Sequence, residues 1–270
     1  MYRCPLCHQP LNRQDLSWRC ANSHCFDIAK EGYVNLLPVQ NKHSKNPGDN
    51  AQMMQARRAF LDAGYYQPLS DQINQLLSQH LTASAKLLDI GCGEGYYTAR
   101  LSDALNAKQA QIWGLDISKT AIRYAAKRYS AINFSVASAY DLPFADQSFD
   151  AITRIYAPSL STEIERVLKH QAWLLTVQPA AHHLFELKQA IYQTPRLHDD
   201  LAENLPGLVL RQQQNLSYAI ELKQPQDTLN LLNMTPFAWK LTEAHKLQLT
   251  ERLSKVSLDF TIRLYQKPTP

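Results

Sequence analysis

Lys86-Leu87-Leu88-Asp89-Ile90-Gly91-Cys92-Gly93-Glu94-Gly95-Tyr96-Tyr97 is the stretch around which this chain is built. Its first five residues are an apolar run, which reads as a buried strand. Glycines follow at 91, 93 and 95, and a helical pattern starts at about Tyr97. A strand, a glycine loop and a helix bring backbone N–H groups close to a ligand with no Cβ in the way. A Walker loop would need a Lys and then a Ser or Thr after the glycines, and neither is there. A dinucleotide loop spaces its glycines G-x-G-x-x-G, whereas this one reads G-x-G-x-G with Asp89 two residues before the first. Asp116, at the end of the next expected strand, suits the two hydroxyls of a ribose, and Asp89 or Glu94 suits an ammonium group. These features fit S-adenosylmethionine, which has no pyrophosphate to cradle.

On the C-terminal side the pattern alternates. The spacing predicts helix 97–105, strand 111–116, helix 118–129 capped by Ser118, strand 133–137, strand 149–155, helix 162–168 and strand 172–178. A βαβ series of this kind gives a parallel, doubly wound sheet with helices on both faces. Past Pro179 the rhythm changes to helix 183–192, a short strand 218–222, helix 225–232, a turn at Met234–Trp239 and a strand 256–265. The two late strands suit an antiparallel hairpin at the sheet edge. On the N-terminal side, Met53, Ala56, Phe60 and Leu61 recur at helical spacing, with Asp49 as cap and Gly64 as stop. Arg57 and Arg58 project from this helix as a solvated face, and a second helix covers about 69–81.

The chain has 270 residues, 45% hydrophobic and 19% charged, an ordinary globular composition. Its net charge of +4 permits a nucleic-acid partner without arguing for one. There is no run of 18 apolar residues, so no membrane span is expected. Met1–Pro5 lacks a signal-peptide stretch, and a cytoplasmic protein is expected. Four of the five cysteines fall within the first 25 residues. Cys4-Pro5-Leu6-Cys7 is a C-x2-C knuckle, and Cys20, His24 and Cys25 follow about a dozen residues later. Two such pairs meet the needs of a tetrahedral, structural zinc site. Cys4, Cys7 and Cys20 are ligands by this logic, and spacing leaves the fourth position open between His24 and Cys25. His8 is a bystander. Residues 39–50, with Lys42, His43 and Lys45, read as a polar, basic linker. The resulting division is a zinc-binding domain over 1–35, joining helices over 36–85 and a methyltransferase domain over 86–270.

Asp89–Gly95, Asp116, Leu142-Pro143-Phe144 and Phe149-Asp150, in this order, resemble the motifs of class I (Rossmann-like, seven-stranded) methyltransferases. By that likeness Ser138–Asp141 borders the adenine, and Ile155-Tyr156-Ala157-Pro158 lines the methyl-transfer site. Cys4–Cys7, Ala29–Pro38, Met54–Leu61, Asp89–Thr98 and Met234–Trp239 together resemble the RlmA (RrmA) family of 23S rRNA guanine-N1 methyltransferases, in its Gram-negative branch. The resemblance spans nearly the whole chain. It implies zinc on Cys4, Cys7, Cys20 and His24. It also implies methyl-donor contacts from Tyr66, the Gly93-Glu94 pair and His183. Donor-binding residues are therefore expected at Tyr66, Asp89, Gly91, Gly93, Glu94, Asp116 and His183. A homodimer with a cleft for an rRNA hairpin is implied as well.

Guanine N1 carries a proton at neutral pH, so the site has to orient N1 and disperse that proton. Asp141, His183 and Glu94 are candidates by position only, with Tyr156, Phe237 and Trp239 as aromatic partners for a splayed base. Two other readings compete. One is a zinc-containing methyltransferase acting on another RNA or a small molecule, and the other a non-catalytic RNA-binding protein with a vestigial donor fold. Donor binding and activity on protein-free rRNA separate the three.

Overall fold

The computed structural model describes residues 1–39 and 51–269. The linker residues 40–50, with Lys42, His43, Lys45 and the expected cap Asp49, lie outside the described residues.

The chain opens with a small antiparallel sheet of β1 (Asn12–Gln14), β2 (Ser17–Arg19) and β3 (Cys25–Asp27). Strand β4 (Val34–Asn35) follows, then helices α1 (Ala51–Asp62) and α2 (Gln67–His80). The glycine loop lies between β5 (Lys86–Ile90) and α3 (Tyr96–Ala104). Next come β6 (Gln111–Asp116), α4 (Lys119–Arg128), β7 (Asn133–Val136), β8 (Phe149–Ile155), α5 (Ser161–Val167) and β9 (Leu168–Pro179). The last third holds α6 (Phe185–Ile191), β10 (Val209–Glu221), α7 (Pro225–Asn233), a 3-10 turn at Pro236–Lys240, α8 (Glu243–Arg252) and β11 (Lys255–Gln266).

The large sheet runs β10-β11-β9-β8-β5-β6-β7-β4. From β4 to β9 every pairing is parallel, while β11 and β10 join antiparallel at the edge, the expected hairpin. Strand order reverses between β5 and β8. In an open α/β sheet that is where a crevice forms beyond the carboxyl ends of the strands.

The two faces of β5 show how the layers divide. Leu87 joins a core with Phe60, Leu69, Ile73 and Leu77 of α1 and α2. Leu88 and Ile90 point the other way, into a core with Ile164 and Val167 of α5 and with Tyr2, Cys4 and Leu36. Three expectations change here. Helices α1 and α2 cover one face of the sheet instead of merely joining two domains. Val34 and Asn35, placed at the end of the zinc unit, form an eighth strand paired with Ser135 and Val136. The late strand expected at 218–222 covers Val209–Glu221, and helix α8 went unread. The first part of β10, Val209–Gln213, is exposed throughout and includes glutamines, so it lacks the alternation that marks a half-buried strand.

The zinc unit docks on the Leu142-Pro143-Phe144 segment. Arg3 N–H donates to Pro143 O at 2.9 Å, and Ala145 N–H donates to Met1 O at 2.9 Å. The Tyr2 ring stacks on Phe144 and meets Trp18 edge-on. Arg166 donates to the carbonyls of Phe144 and Leu142 and so fixes the seat from below.

Candidate functional site

In the zinc unit, the thiols of Cys4, Cys7 and Cys20 and one ring nitrogen of His24 all lie within 4.8 Å of one another. His24 Nδ1 is 3.3 Å from Cys7 Sγ, 3.4 Å from Cys20 Sγ and 3.5 Å from Cys4 Sγ. With Zn–S near 2.3 Å and Zn–N near 2.0 Å, the edges of a tetrahedral site are roughly 3.5–3.8 Å, so the donor set fits the ion. The cluster takes in His24 and leaves out Cys25. Cys25 opens β3, one residue past His24. Its exposed thiol turns toward Asp27. Burial pushes the Cys4 thiol up to about 11, so a bound cation is needed to keep it as thiolate.

The second site is a cleft of about 1170 Å³ at the carboxyl ends of the parallel strands. It collects all seven residues expected at a donor site: Tyr66, Asp89, Gly91, Gly93, Glu94, Asp116 and His183. The glycine loop turns under β6, with Gly91 and Cys92 N–H both donating to Leu115 O. Gly91 has φ 73°, and a Cβ there would overlap the Ala157 methyl, so the loop and the turn after β8 pack backbone to side chain. At Gly93 a Cβ would meet nothing within 4 Å. That open face of the loop is the space a ligand needs.

Each carboxylate at the cleft is held differently. Asp116 is oriented by Gly93 N–H at 3.0 Å on one oxygen and Ser118 N–H at 2.7 Å on the other. Asp89 is buried and accepts from the hydroxyls of Thr98 and Thr153 at 2.6 and 2.8 Å. Burial raises its carboxyl to about 6, and the two hydroxyls oppose the rise. Glu94 accepts from Arg58 Nε at 2.6 Å, and burial raises it in spite of that partner. Arg57 donates to Met234 O. The expected solvated face of α1 is therefore a wall of the cleft, binding the loop and the end of α7 to the helix.

His183 sits in the turn before α6, followed by Leu184 in a left-handed conformation. Its Nδ1 accepts from Asp259 N–H at 3.3 Å, which leaves the ring proton on Nε2, 3.5 Å from Tyr66 Oη. Burial pulls its pKa down to about 4, so the ring is neutral near pH 7. Asp259 also accepts from His182 N–H and from Ser217, and fixes the whole turn. Sequence reading passed over Asp259 and its neighbour Arg263, and a charge inside the apolar strand Val256–Tyr265 was the available signal.

Of the three candidate proton acceptors, His183 in this tautomer offers no lone pair at Nε2, Glu94 is ion-paired, and Asp141 faces Arg3 outside the cleft lining. Tyr156, in a left-handed conformation at φ 56°, and Phe237 line the cleft, whereas Trp239 stands 71% exposed away from it. Sparsely populated backbone of the Tyr156 kind concentrates at functional sites.

A class I sheet of seven strands extended by β4, with this glycine loop, an oriented acid at the end of β6 and a zinc ribbon docked on one face, defines an S-adenosylmethionine-dependent methyltransferase. A family model described as RlmA, N-terminal, a zinc ribbon, matches residues 2–45, and a Methyltransferase domain model matches residues 87–176. The chain is 32% identical to the Putative 23S rRNA (guanine-N(1)-)-methyltransferase YxjB of Bacillus subtilis, over 99% of this chain and 97% of that protein. It is 31% identical to a Putative 23S rRNA (guanine-N(1)-)-methyltransferase of Micromonospora griseorubida, over 96% of this chain and 93% of that protein. It is 36% identical to the 23S rRNA (guanine(748)-N(1))-methyltransferase of Streptomyces fradiae, over 70% of this chain and 67% of that protein. The chain belongs to the RlmA family of 23S rRNA (guanine-N1-)-methyltransferases.

Proposed function

We propose that this protein transfers a methyl group from S-adenosylmethionine to N1 of a guanine in a 23S rRNA hairpin, working as a cytoplasmic homodimer. The observation that carries the reading is a single cleft that joins the glycine loop and Asp116 to an aromatic end formed by Tyr66, Tyr156, His183 and Phe237. Likeness to the relatives over nearly the full chain, zinc ribbon included, supports the rRNA substrate.

In this reading Asp116 holds the ribose hydroxyls, and Gly91 and Gly93 let the donor lie against the backbone. Asp89 and Glu94 face its ammonium side, and Tyr66 and His183 close the methionine end. The donor supplies an electrophilic sulfonium methyl whose leaving group needs no protonation. The chain's own work is then to position and desolvate. His183 donates through Nε2–H and acts as scaffold, not as base. Tyr156 and Phe237 wall the space for a base taken out of its stack, because N1 lies on the Watson–Crick edge and is inaccessible in a pair.

The test is primer extension on protein-free 23S rRNA incubated with the purified protein and S-adenosylmethionine. N1-methylguanine blocks pairing, so a new stop at one guanine is expected. Methyl incorporation without such a stop would show that a different atom or molecule is the acceptor.

A further inference from the structure

Helix α4 has two unlike faces. Ala121, Ile122, Ala125 and Ala126 are buried, the last three in a core with Phe134 and Val136 of β7. Lys119, Arg123, Tyr124, Lys127 and Arg128 are exposed, and no residue of the helix is acidic. Lys119, Arg123 and Lys127 follow one another at four-residue spacing, where like charges destabilise a helix. Lys119 also stands in the first turn, where the helix dipole disfavours a cation. The ion pairs on this side use Arg128 with Asp62 and Arg58 with Glu94. Among the described residues, Lys119, Arg123 and Lys127 enter none. A solvated helix face gains nothing from such an arrangement, whereas a polyanion laid along it would relieve the repulsion.

Helix α1 runs beside this face. The Arg58 guanidinium carbon is 4.8 Å from the centroid of the Tyr124 ring, and Asp62, one turn on, meets Arg128. The Arg123 guanidinium carbon lies 5.6 Å from the same centroid. One tyrosine thus braces two guanidiniums that would otherwise repel each other. Arg58 gives only Nε to Glu94, so among the described residues its two terminal amino groups have no protein partner. Arg123 has no hydrogen-bond acceptor there at all. Guanidinium forks left open in this way match the oxygens of a phosphate. Arg58 and Arg128 also line the donor cleft, so the basic face begins at the rim of the reaction site.

We propose that α4 and Arg58 form a track for the phosphate backbone of the RNA substrate. Arg58 and Arg123, braced on Tyr124, hold one phosphate, and Lys119 and Lys127 meet its neighbours along the strand. This rests on the rRNA reading of the substrate. Contacts of this kind fix how a strand crosses the protein and leave the choice of base to the cleft.

Filter binding of protein-free 23S rRNA to the full-length, zinc-loaded protein, over a series of salt concentrations, tests it. Arg123→Ala combined with Lys127→Ala should weaken binding about tenfold at low salt and reduce the slope of log affinity against log salt by roughly 1.5, two phosphate contacts being lost. The KM for methylation of the same RNA should rise by a like factor, with kcat at saturating RNA and the affinity for S-adenosylhomocysteine unchanged. The variant should melt at the wild-type temperature or above it, because a pair of like charges one turn apart is gone. Arg211→Ala combined with Lys223→Ala removes two exposed cations at the opposite edge of the sheet and should leave affinity and slope at their wild-type values. An unaltered slope in the α4 variant, an equal change in the β10 control, or donor affinity lost together with rRNA binding overturns the track. Wild-type protein without affinity for 23S rRNA would instead overturn the rRNA reading, and the inference with it.

Discussion

At the scale of single residues, the cleft is a place where stability has been given up. Asp89 has its carboxyl raised from 3.8 to about 6 by burial, with Thr98 and Thr153 opposing. A carboxyl raised in the folded state contributes stability that is complete below pH 3.8 and is lost as the pH rises through 6. The loss is on the order of 3 kcal/mol at neutral pH. Asp89→Asn should therefore make the ligand-free protein more stable than wild type at pH 8 and much less so at pH 5, as read by chemical denaturation at both pH values. The same variant should bind the donor at least tenfold more weakly if the carboxylate meets its ammonium. His183 has the opposite sign. Its pKa falls from 6.5 to about 4, so the neutral ring contributes stability that is complete above pH 6.5 and is lost as the pH falls through 4. NMR of the imidazole should show a midpoint near 4 and, at pH 7, the Nε2–H tautomer. A midpoint near 6.5 would contradict the buried hydrogen-bonded ring.

Among elements, the glycine loop separates two kinds of constraint. Gly91 and Gly93 are both left-handed, at φ 73° and 55°. At Gly91 an added methyl runs into Ala157, whereas at Gly93 it enters open space. Gly91→Ala should cost well over the roughly 1–2 kcal/mol of backbone strain alone and lower the melting temperature visibly. Gly93→Ala should cost only about that strain and lose donor affinity out of proportion to its stability. Equal behaviour of the two would mean that the loop faces no ligand.

A second element, the irregular segment from Thr194 to Leu208, owes its course to two charges on the strands either side of β9. Arg263, 1% exposed on β11, donates to Asp200 and to the side chains of Gln178 and Gln213. Arg154, 5% exposed on β8, pairs with Glu203. This segment carries Arg196, Leu197 and His198 to the cleft wall. Arg263→Met should destabilise the protein by roughly 3 kcal/mol, since it leaves Asp200 and two glutamines without their partner. It should also speed protease cleavage within 194–208 before the rest of the chain is cut.

On the scale of the whole molecule, the zinc unit is a third layer on the sheet. It covers Leu88 and Ile90 beside α5, and Val34–Asn35 extends the sheet by a strand. The four zinc ligands lie on the first 24 residues, away from the glycine loop in sequence and in the cleft lining. Cys4→Ser, or chelation, should therefore release zinc and loosen the Tyr2–Phe144 seat while S-adenosylhomocysteine binding stays largely intact. Elemental analysis together with calorimetry checks this. Retained zinc in the variant, or donor binding lost along with zinc, would contradict the separation.

Much of this was legible in the chain from Lys86 to Gln178. There the hydrophobic period, the glycines and the acids at strand ends are local features, written within a few residues of where they act. Strands β5, β6 and β8 have the bounds expected of them for that reason. The ligand class followed from the spacing G-x-G-x-G and Asp116, and the metal from the cysteine pairs. What depended on residues far apart in sequence stayed hidden. The choice of His24 over Cys25 required the folded donor cluster, and the pairing of Arg58 with Glu94 required α1 to lie against the loop. The tautomer of His183 is set by the backbone of Asp259. Each of these is a contact between distant segments, whose energy depends on burial and distance, and neither is encoded by neighbours along the chain.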